Sequence, residues 1–301
     1  MEVPLILVTN DDGIDSDGLW AAVEALTPLG EVCVVAPDRQ WSGGGRSMPP
    51  HVSGRYQAVQ RTIDGMEIRA FAVDASPALA VQHAILEFVP RLPSLVVSGI
   101  NFGANLATEV TISGTVGAAL EAAAFGIPAL AVSLEMDPGA HLTGSETADY
   151  AATKAVIQRF AWHQLIYGRP CDVDVLNINV PSDATPETPW RLTCLSRHRY
   201  YDPVAPDRAS GVGRPGYKLI PNAGRIEIDS DVWAVKQDRI ISVTPLSLDM
   251  TSRVNLDDTG FVMKGQVMYA QNALDLLVRI HESAAPVEAP YVMARSEEMA
   301  T

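Results

Sequence analysis

Cysteine is scarce: Cys33, Cys171 and Cys194 are the only three in 301 residues. Three irregularly spaced thiols make neither a disulfide framework nor a zinc cluster, so reduced thiols in a cytoplasm are expected. Positive charge is short as well. Lys plus Arg is 22 against 36 Asp plus Glu, a formal net charge of −14. A surface that coats a nucleic-acid polymer needs clustered cations, and this balance argues against one. A small anionic substrate stays admissible, because a bound metal reverses the local sign. No apolar run reaches the roughly 18 residues of a membrane span, so no membrane partner is expected. Glu2 precedes the short apolar stretch Val3 to Val8 without a positive n-region, which argues against a signal peptide. No period of the roughly 20–50 residues typical of solenoids is visible. Also missing are a Gly-X-Ser-X-Gly elbow, a Walker Gly-Lys-Ser/Thr and any HxxxH pairing among the six histidines.

What is present is a core. Apolar residues are 47% and charged residues 19%, too apolar for a disordered chain. At roughly 150 residues per domain the length permits one large domain or two small ones. Leu5-Ile6-Leu7-Val8-Thr9 is a short continuous apolar run, as in a strand covered on both faces. A helix follows, with Ser16 as its cap and Leu19, Trp20, Val23 and Leu26 on one stripe. Val32 to Ala36 predicts a second strand. Ser76-Pro77 opens another helix, with Ser as cap and Pro at its first position. Leu95 to Ser98 is a third strand, Ser113-Gly114-Thr115 starts an Ala-rich helix, and Pro128 to Leu134 is a further strand. Strands alternating with helices predict a doubly wound, mostly parallel α/β sheet with helices on both faces. In such sheets the ligand crevice lies beyond the carboxyl ends of the strands. The polar clusters 10–13, 42–45 and 99–105 each follow a predicted strand, so they would meet at one edge.

The second half is less regular. Ser145 can cap a helix to about Trp162, Val173 to Val180 alternates like a strand, and Gln266 to Glu282 has a helical stripe. Residues 202–230 are rich in Gly, Pro and Asp and read as a long excursion or hairpin arm.

Asp11-Asp12 is the strongest chemical signal. Adjacent carboxylates at a buried strand end repel unless a positive charge joins them. A hard divalent cation, Mg²⁺ or Mn²⁺, supplies it; the alternative is a solvated turn before Gly13. Ser42-Gly43-Gly44-Gly45-Arg46-Ser47 can bring backbone N–H groups and Arg46 to an anion, or be a plain linker. Asn101 and Asn105 offer neutral oxygen ligands and amide donors, or simply tolerate αL turn positions. Ser113, Gly114 and Thr115 open a helix whose N–H groups and hydroxyls suit a phosphate, or are an ordinary small-residue cap. An acidic metal site and a phosphate cradle at one sheet edge fit metal-assisted phosphoester hydrolysis.

In this order the segments resemble the SurE family of survival-protein-E 5′/3′-nucleotidases. The matching stretches are Ile6 to Ile14, Val34 to Arg39 with Ser42-Gly43, Val96 to Asn101 with Gly103-Ala104-Asn105, and Ser113 to Ala119. Gly126 to Ala129 and Ser242 to Leu246 with Asp249 and Thr251 also fit. The resemblance implies a metal-dependent phosphomonoesterase acting on nucleoside monophosphates. Broader phosphatase or exopolyphosphatase action at the same site, or metal-dependent nucleotide binding without turnover, are its alternatives. It implies one divalent cation per subunit on Asp11, Asp12, Ser42 and Asn101. Asp11, Asp12 and Asn101 would be catalytic, while Asn10, Gly43, Asn105, Ser113, Gly114 and Thr115 would bind substrate. It implies a cytoplasmic homodimer or homotetramer that exchanges a C-terminal arm, here about 200–245. Residues 1–255 would form the phosphatase domain, and 256–301 a C-terminal helix and loose tail. The chain departs from the family pattern at Ala75 to Leu79, at Met48-Pro49 and at Ile112, without losing a metal ligand.

Overall fold

The computed structural model describes residues 2–136, 148–208, 211, 213, 215–219 and 226–253. Ser145, the stripe from 266 to 282 and the tail lie outside these residues. Along the chain come β1 (Leu5–Thr9), α1 (Asp17–Leu26), β2 (Glu31–Pro37), β3 (Tyr56–Ile63), β4 (Met66–Val73) and α2 (Pro77–His83). Then follow β5 (Leu95–Phe102), α3 (Gly114–Ala124), β6 (Ala129–Leu134), α4 (Ala151–Tyr167) and β7 (Val175–Val180). β8 (Trp190–Leu192), β9 (Tyr201–Val204), β10 (Gly216–Leu219), α5 (Asp231–Lys236) and β11 (Ile241–Leu246) complete the described set.

Nine strands form one sheet in the order β3-β4-β2-β1-β5-β6-β7-β11-β8. The six from β4 to β7 run parallel, and β3 and β11 are antiparallel to their neighbours β4 and β7. Side chains on a strand alternate between faces. Ile6 and Val8 of β1 therefore pack with α1 and α4, whereas Leu5 and Leu7 pack with α2 and α3. This double coverage is why β1 reads as an unbroken apolar run, 0% exposed from Leu5 to Val8. Full burial of each such side chain contributes about 1.5–3 kcal/mol. The doubly wound α/β fold expected from the sequence is what forms.

The details differ in three places. Ser16 stands at the N-cap of α1, but its side chain makes no capping hydrogen bond. Ser76 does cap α2, accepting from the Leu79 N–H at 3.2 Å with Pro77 behind it. The β3–β4 hairpin was not anticipated, although Asp64-Gly65 is a strong two-residue turn signal. Both residues hold positive φ, 48° and 79°, as a type I′ turn requires. Lastly, β11 pairs with β7 in the main sheet, so the end of the expected arm belongs to the core layer. What stands apart is the two-stranded β9–β10 hairpin. Among the described residues no helix is long and apolar enough to cross a membrane.

Chain order sets the position of the crevice. β1 has β2 on one side and β5 on the other, so the winding runs outward from β1 and then returns to it. Loops leaving β1 and β5 in the same direction diverge there and leave a gap at the carboxyl ends.

Candidate active site

The loop after β1 is a closed turn. Asn10 is fully buried; its Nδ2 donates to the Gly13 carbonyl at 3.0 Å and its Oδ1 accepts from the Gly13 N–H at 3.1 Å. Closing that turn projects two carboxylates, and each ties down other loops. The Asp11 carbonyl accepts from the Trp41 N–H at 2.7 Å, which draws in the segment carrying Ser42. Asp12 Oδ2 accepts from the Phe102 N–H at 3.0 Å, and its Oδ1 from Gln40 Nε2 at 3.3 Å. Asp11 Oδ1 accepts from Thr115 Oγ1 at 2.6 Å. Four segments tens of residues apart therefore meet on one acidic pair.

Gly114 is required by that meeting. A Cβ at 114 would lie 2.7 Å from Asp11 Cβ and 2.8 Å from Asp11 Oδ2. The small residues opening α3 thus allow Asp11 to press against the helix end. Thr115 hydrogen-bonds Asp11 through its backbone as well as its hydroxyl. The anion seated at the first turn of α3 is the protein's own carboxylate, where the helix dipole favours negative charge. Ser113 caps the helix, its Oγ accepting from the Val116 N–H at 3.1 Å. The Thr115 hydroxyl is therefore spent on Asp11, whereas Ser113 caps the helix through its oxygen and keeps its own O–H to donate. Arg46 is engaged too. It pairs with buried Glu121 at 2.6 Å, and Gln82 holds the other oxygen at 2.8 Å, so its charge anchors the Gly-rich loop.

Burial, followed by the adjacent Asp12 charge, pushes the Asp11 carboxyl well above the usual carboxylate range. The hydrogen bonds from Thr115 oppose this only in part. Among the described residues no Lys, Arg or His pairs with Asp11. A buried carboxylate with no basic partner, beside a second carboxylate, suits a cation. No three His, Cys, Asp or Glu side chains gather as a metal cage among the described residues, so neutral oxygens must complete the set. Asn101 suits that role: its Nδ2 donates to the Gly103 carbonyl at 2.6 Å, which turns its oxygen away as an acceptor that a cation could use. Two carboxylates with hydroxyl and amide oxygens form a hard donor set, fitting Mg²⁺ or Mn²⁺.

The site opens into a cavity of about 890 Å³. Asp11, Ser42, Gly43, Asn101, Asn105 and Ser113 line it; Asn10, Gly114 and Thr115 are buried behind that wall. Asn105 is held firmly. Its N–H donates to Asn179 Oδ1 at 2.7 Å, its carbonyl accepts from Asn177 and Asn179, and its Nδ2 donates to Ser133 Oγ at 2.9 Å.

The survival protein SurE family model matches residues 6–202. This chain belongs to the SurE family. It is similar to the 5′-nucleotidase SurE of Thermococcus gammatolerans, 44% identical over 265 residues, 87% of this chain and 96% of that protein. The 5′-nucleotidase SurE of Thermococcus kodakarensis is 43% identical over 262 residues, 87% of this chain and 99% of that protein. The crystal structure of the SurE protein from Aquifex aeolicus has 32% sequence identity and a TM-score of 0.64. It spans 86% of this chain and 99% of its own.

Within this SurE chain the sequence reading missed one wall of the cavity. Arg197, Arg199 and Tyr201 line it, together with Thr108 and Glu109. No motif marks the two arginines. Their only signal is odd-position alternation (197, 199, 201) in a strongly acidic chain, around the buried Tyr200. Among the described residues no histidine lines the cavity.

Proposed function

We propose that this chain is a metal-dependent phosphomonoesterase that hydrolyses nucleoside 5′-monophosphates to nucleoside and phosphate. Membership of the SurE family supports nucleotide phosphatase chemistry, and relatives over 40% identical bear the name 5′-nucleotidase. The observation that carries the reading is buried Asp11, which has half-buried Asp12 beside it and no basic partner among the described residues, and which lines a cavity of about 890 Å³. Asp11, Asp12, Ser42 and Asn101 would hold one Mg²⁺ or Mn²⁺, with Asp11, Asp12 and Asn101 as the catalytic residues. When bound, that cation neutralises phosphoryl charge and lowers the pKa of water.

The remaining residues divide by what they touch. Gly43, Asn105 and the Ser113 end of α3 face the cavity and orient the phosphoryl group. Asn10, Gly114 and Thr115 serve substrate binding indirectly, by holding Asp11 in place. The chain works in the cytoplasm as a homodimer or homotetramer, with the β9–β10 hairpin as its exchanged element.

The test is a substrate panel under controlled metal: AMP, GMP, 3′-AMP, short polyphosphate and a non-nucleotide phosphomonoester. Phosphate release that is fastest from the 5′-monophosphates, and dependent on Mg²⁺ or Mn²⁺, is expected. Equal rates on all esters would replace this reading with a general phosphatase. Saturable AMP binding without release would replace it with a nucleotide-binding protein.

A further inference from the structure

A phosphomonoester brings about two negative charges into a cavity that already holds Asp11. Two sources of positive charge expected from the sequence are occupied: α3 receives Asp11, and Arg46 receives Glu121. Arg197 and Arg199 are the only cationic side chains among the described residues that line the cavity. Both are exposed, and among the described residues neither guanidinium has a hydrogen-bond or ion-pair partner.

Their backbone, by contrast, is pinned. The Ser196 N–H donates to buried Asp231 at 3.0 Å, and the Arg197 N–H donates to Glu227 at 3.2 Å. The Tyr200 and Tyr201 N–H groups each reach Glu109 at 3.4 Å. Glu109, the other acid on this wall, thus faces N–H donors of the same segment. Carboxylates fix the main chain while two guanidinium forks stand unmatched at the cavity. Such forks present paired N–H donors to phosphoryl oxygens.

We propose that Arg197 and Arg199 are positioning residues that hold the substrate's phosphoryl oxygens across the cavity from the aspartate pair. This rests on the phosphomonoesterase reading above. It assigns the grip on substrate charge to the stem of the β9–β10 hairpin. Two guanidiniums would then offset a phosphomonoester dianion, as a divalent cation would offset the two aspartates.

The experiment uses the full chain with Mn²⁺ and compares wild type, the double variant Arg197→Gln/Arg199→Gln, the double variant Arg197→Lys/Arg199→Lys, and Arg208→Gln as a control. AMP hydrolysis gives KM and kcat separately at several salt concentrations, and calorimetry gives AMP, inorganic phosphate and adenosine affinities. The Gln pair is expected to raise KM for AMP by about 10- to 100-fold, the worth of one to two charged hydrogen bonds. It is also expected to flatten the salt dependence of KM, to weaken AMP and phosphate alike, and to leave adenosine affinity as it was. The Lys pair should recover part of the affinity, since it restores charge without the fork. Arg208→Gln should match wild type. Unchanged KM and phosphate affinity in the Gln pair would overturn the proposal, as would equal weakening of adenosine. Should wild type release no phosphate from any ester, the phosphomonoesterase reading fails. The phosphate and AMP affinities still decide the arginines independently.

Discussion

The two walls of the cavity are built in opposite ways. The sheet wall, from the loops after β1 and β5 and the start of α3, is dense: Asp11 is 4% exposed and no atom fits at the 114 Cβ position. The hairpin-stem wall carries exposed Arg197 and Arg199, whose guanidiniums have no partner among the described residues. One wall holds acids that water and salt reach poorly, the other holds bases that both reach easily. A buried carboxylate pair gains from every neighbour that fixes it, and so it is part of the core. Exposed guanidiniums are fixed only through their backbone and can change without loosening the sheet. On the proposed reading, the metal-holding wall is then tied more closely to folding than the wall that would grip substrate.

That contrast can be broken from either side. The largest effect is expected from Gly114→Ala. The new methyl must displace the Asp11 carboxylate, so phosphate release should fall roughly 100-fold or more while far-UV circular dichroism stays native. A near wild-type rate would mean the sheet wall has slack. Thr115→Val keeps the shape and removes one donor from Asp11. Calorimetry should show Mn²⁺ affinity down by about 10- to 100-fold, the usual cost of losing a partner to a metal-binding carboxylate. On the other wall, Asp231→Ala strips the acceptor from the Ala107, Ser196 and Val232 N–H groups. Leaving such donors buried costs about 1–3 kcal/mol. The melting temperature should drop by several degrees and KM should rise with the loosened stem. An unchanged KM would uncouple Asp231 from the arginines. The smallest effect belongs to Gly65→Ala, far from both walls. Its φ of 79° costs an alanine about 1 kcal/mol, and there is open space around the position, so stability falls slightly and kinetics do not move.

The same division governs what the sequence makes legible. β1, β2, β5, α3 and β6 are readable because burial on both faces leaves unbroken apolar runs and Ala-rich stripes. The acidic pair is readable because two carboxylates at a strand end are costly without a reason. Which hydroxyl faces the ligand is not readable. Ser113 and Thr115 suit a phosphate equally by residue type, yet Thr115 turns to Asp11 while Ser113 caps α3 and lines the cavity. Helix-end chemistry depends on what lies opposite, and that is tertiary information. Arg46 shows the same lesson, since Glu121 lies 75 residues away in sequence. The β3–β4 hairpin is legible in Asp64-Gly65 with flanking alternation, a local turn signal that needs no tertiary information. Arg197 and Arg199 carry no motif, and only the cavity gives them meaning.

The most direct test of the central claim is phosphate release from AMP by wild type and Asp11→Asn at fixed Mn²⁺, with and without EDTA, on protein checked for an unchanged melting curve. Release that wild type loses on chelation, and that the variant lacks by orders of magnitude, is the predicted result. A folded Asp11→Asn protein that turns over AMP as fast as wild type would contradict it.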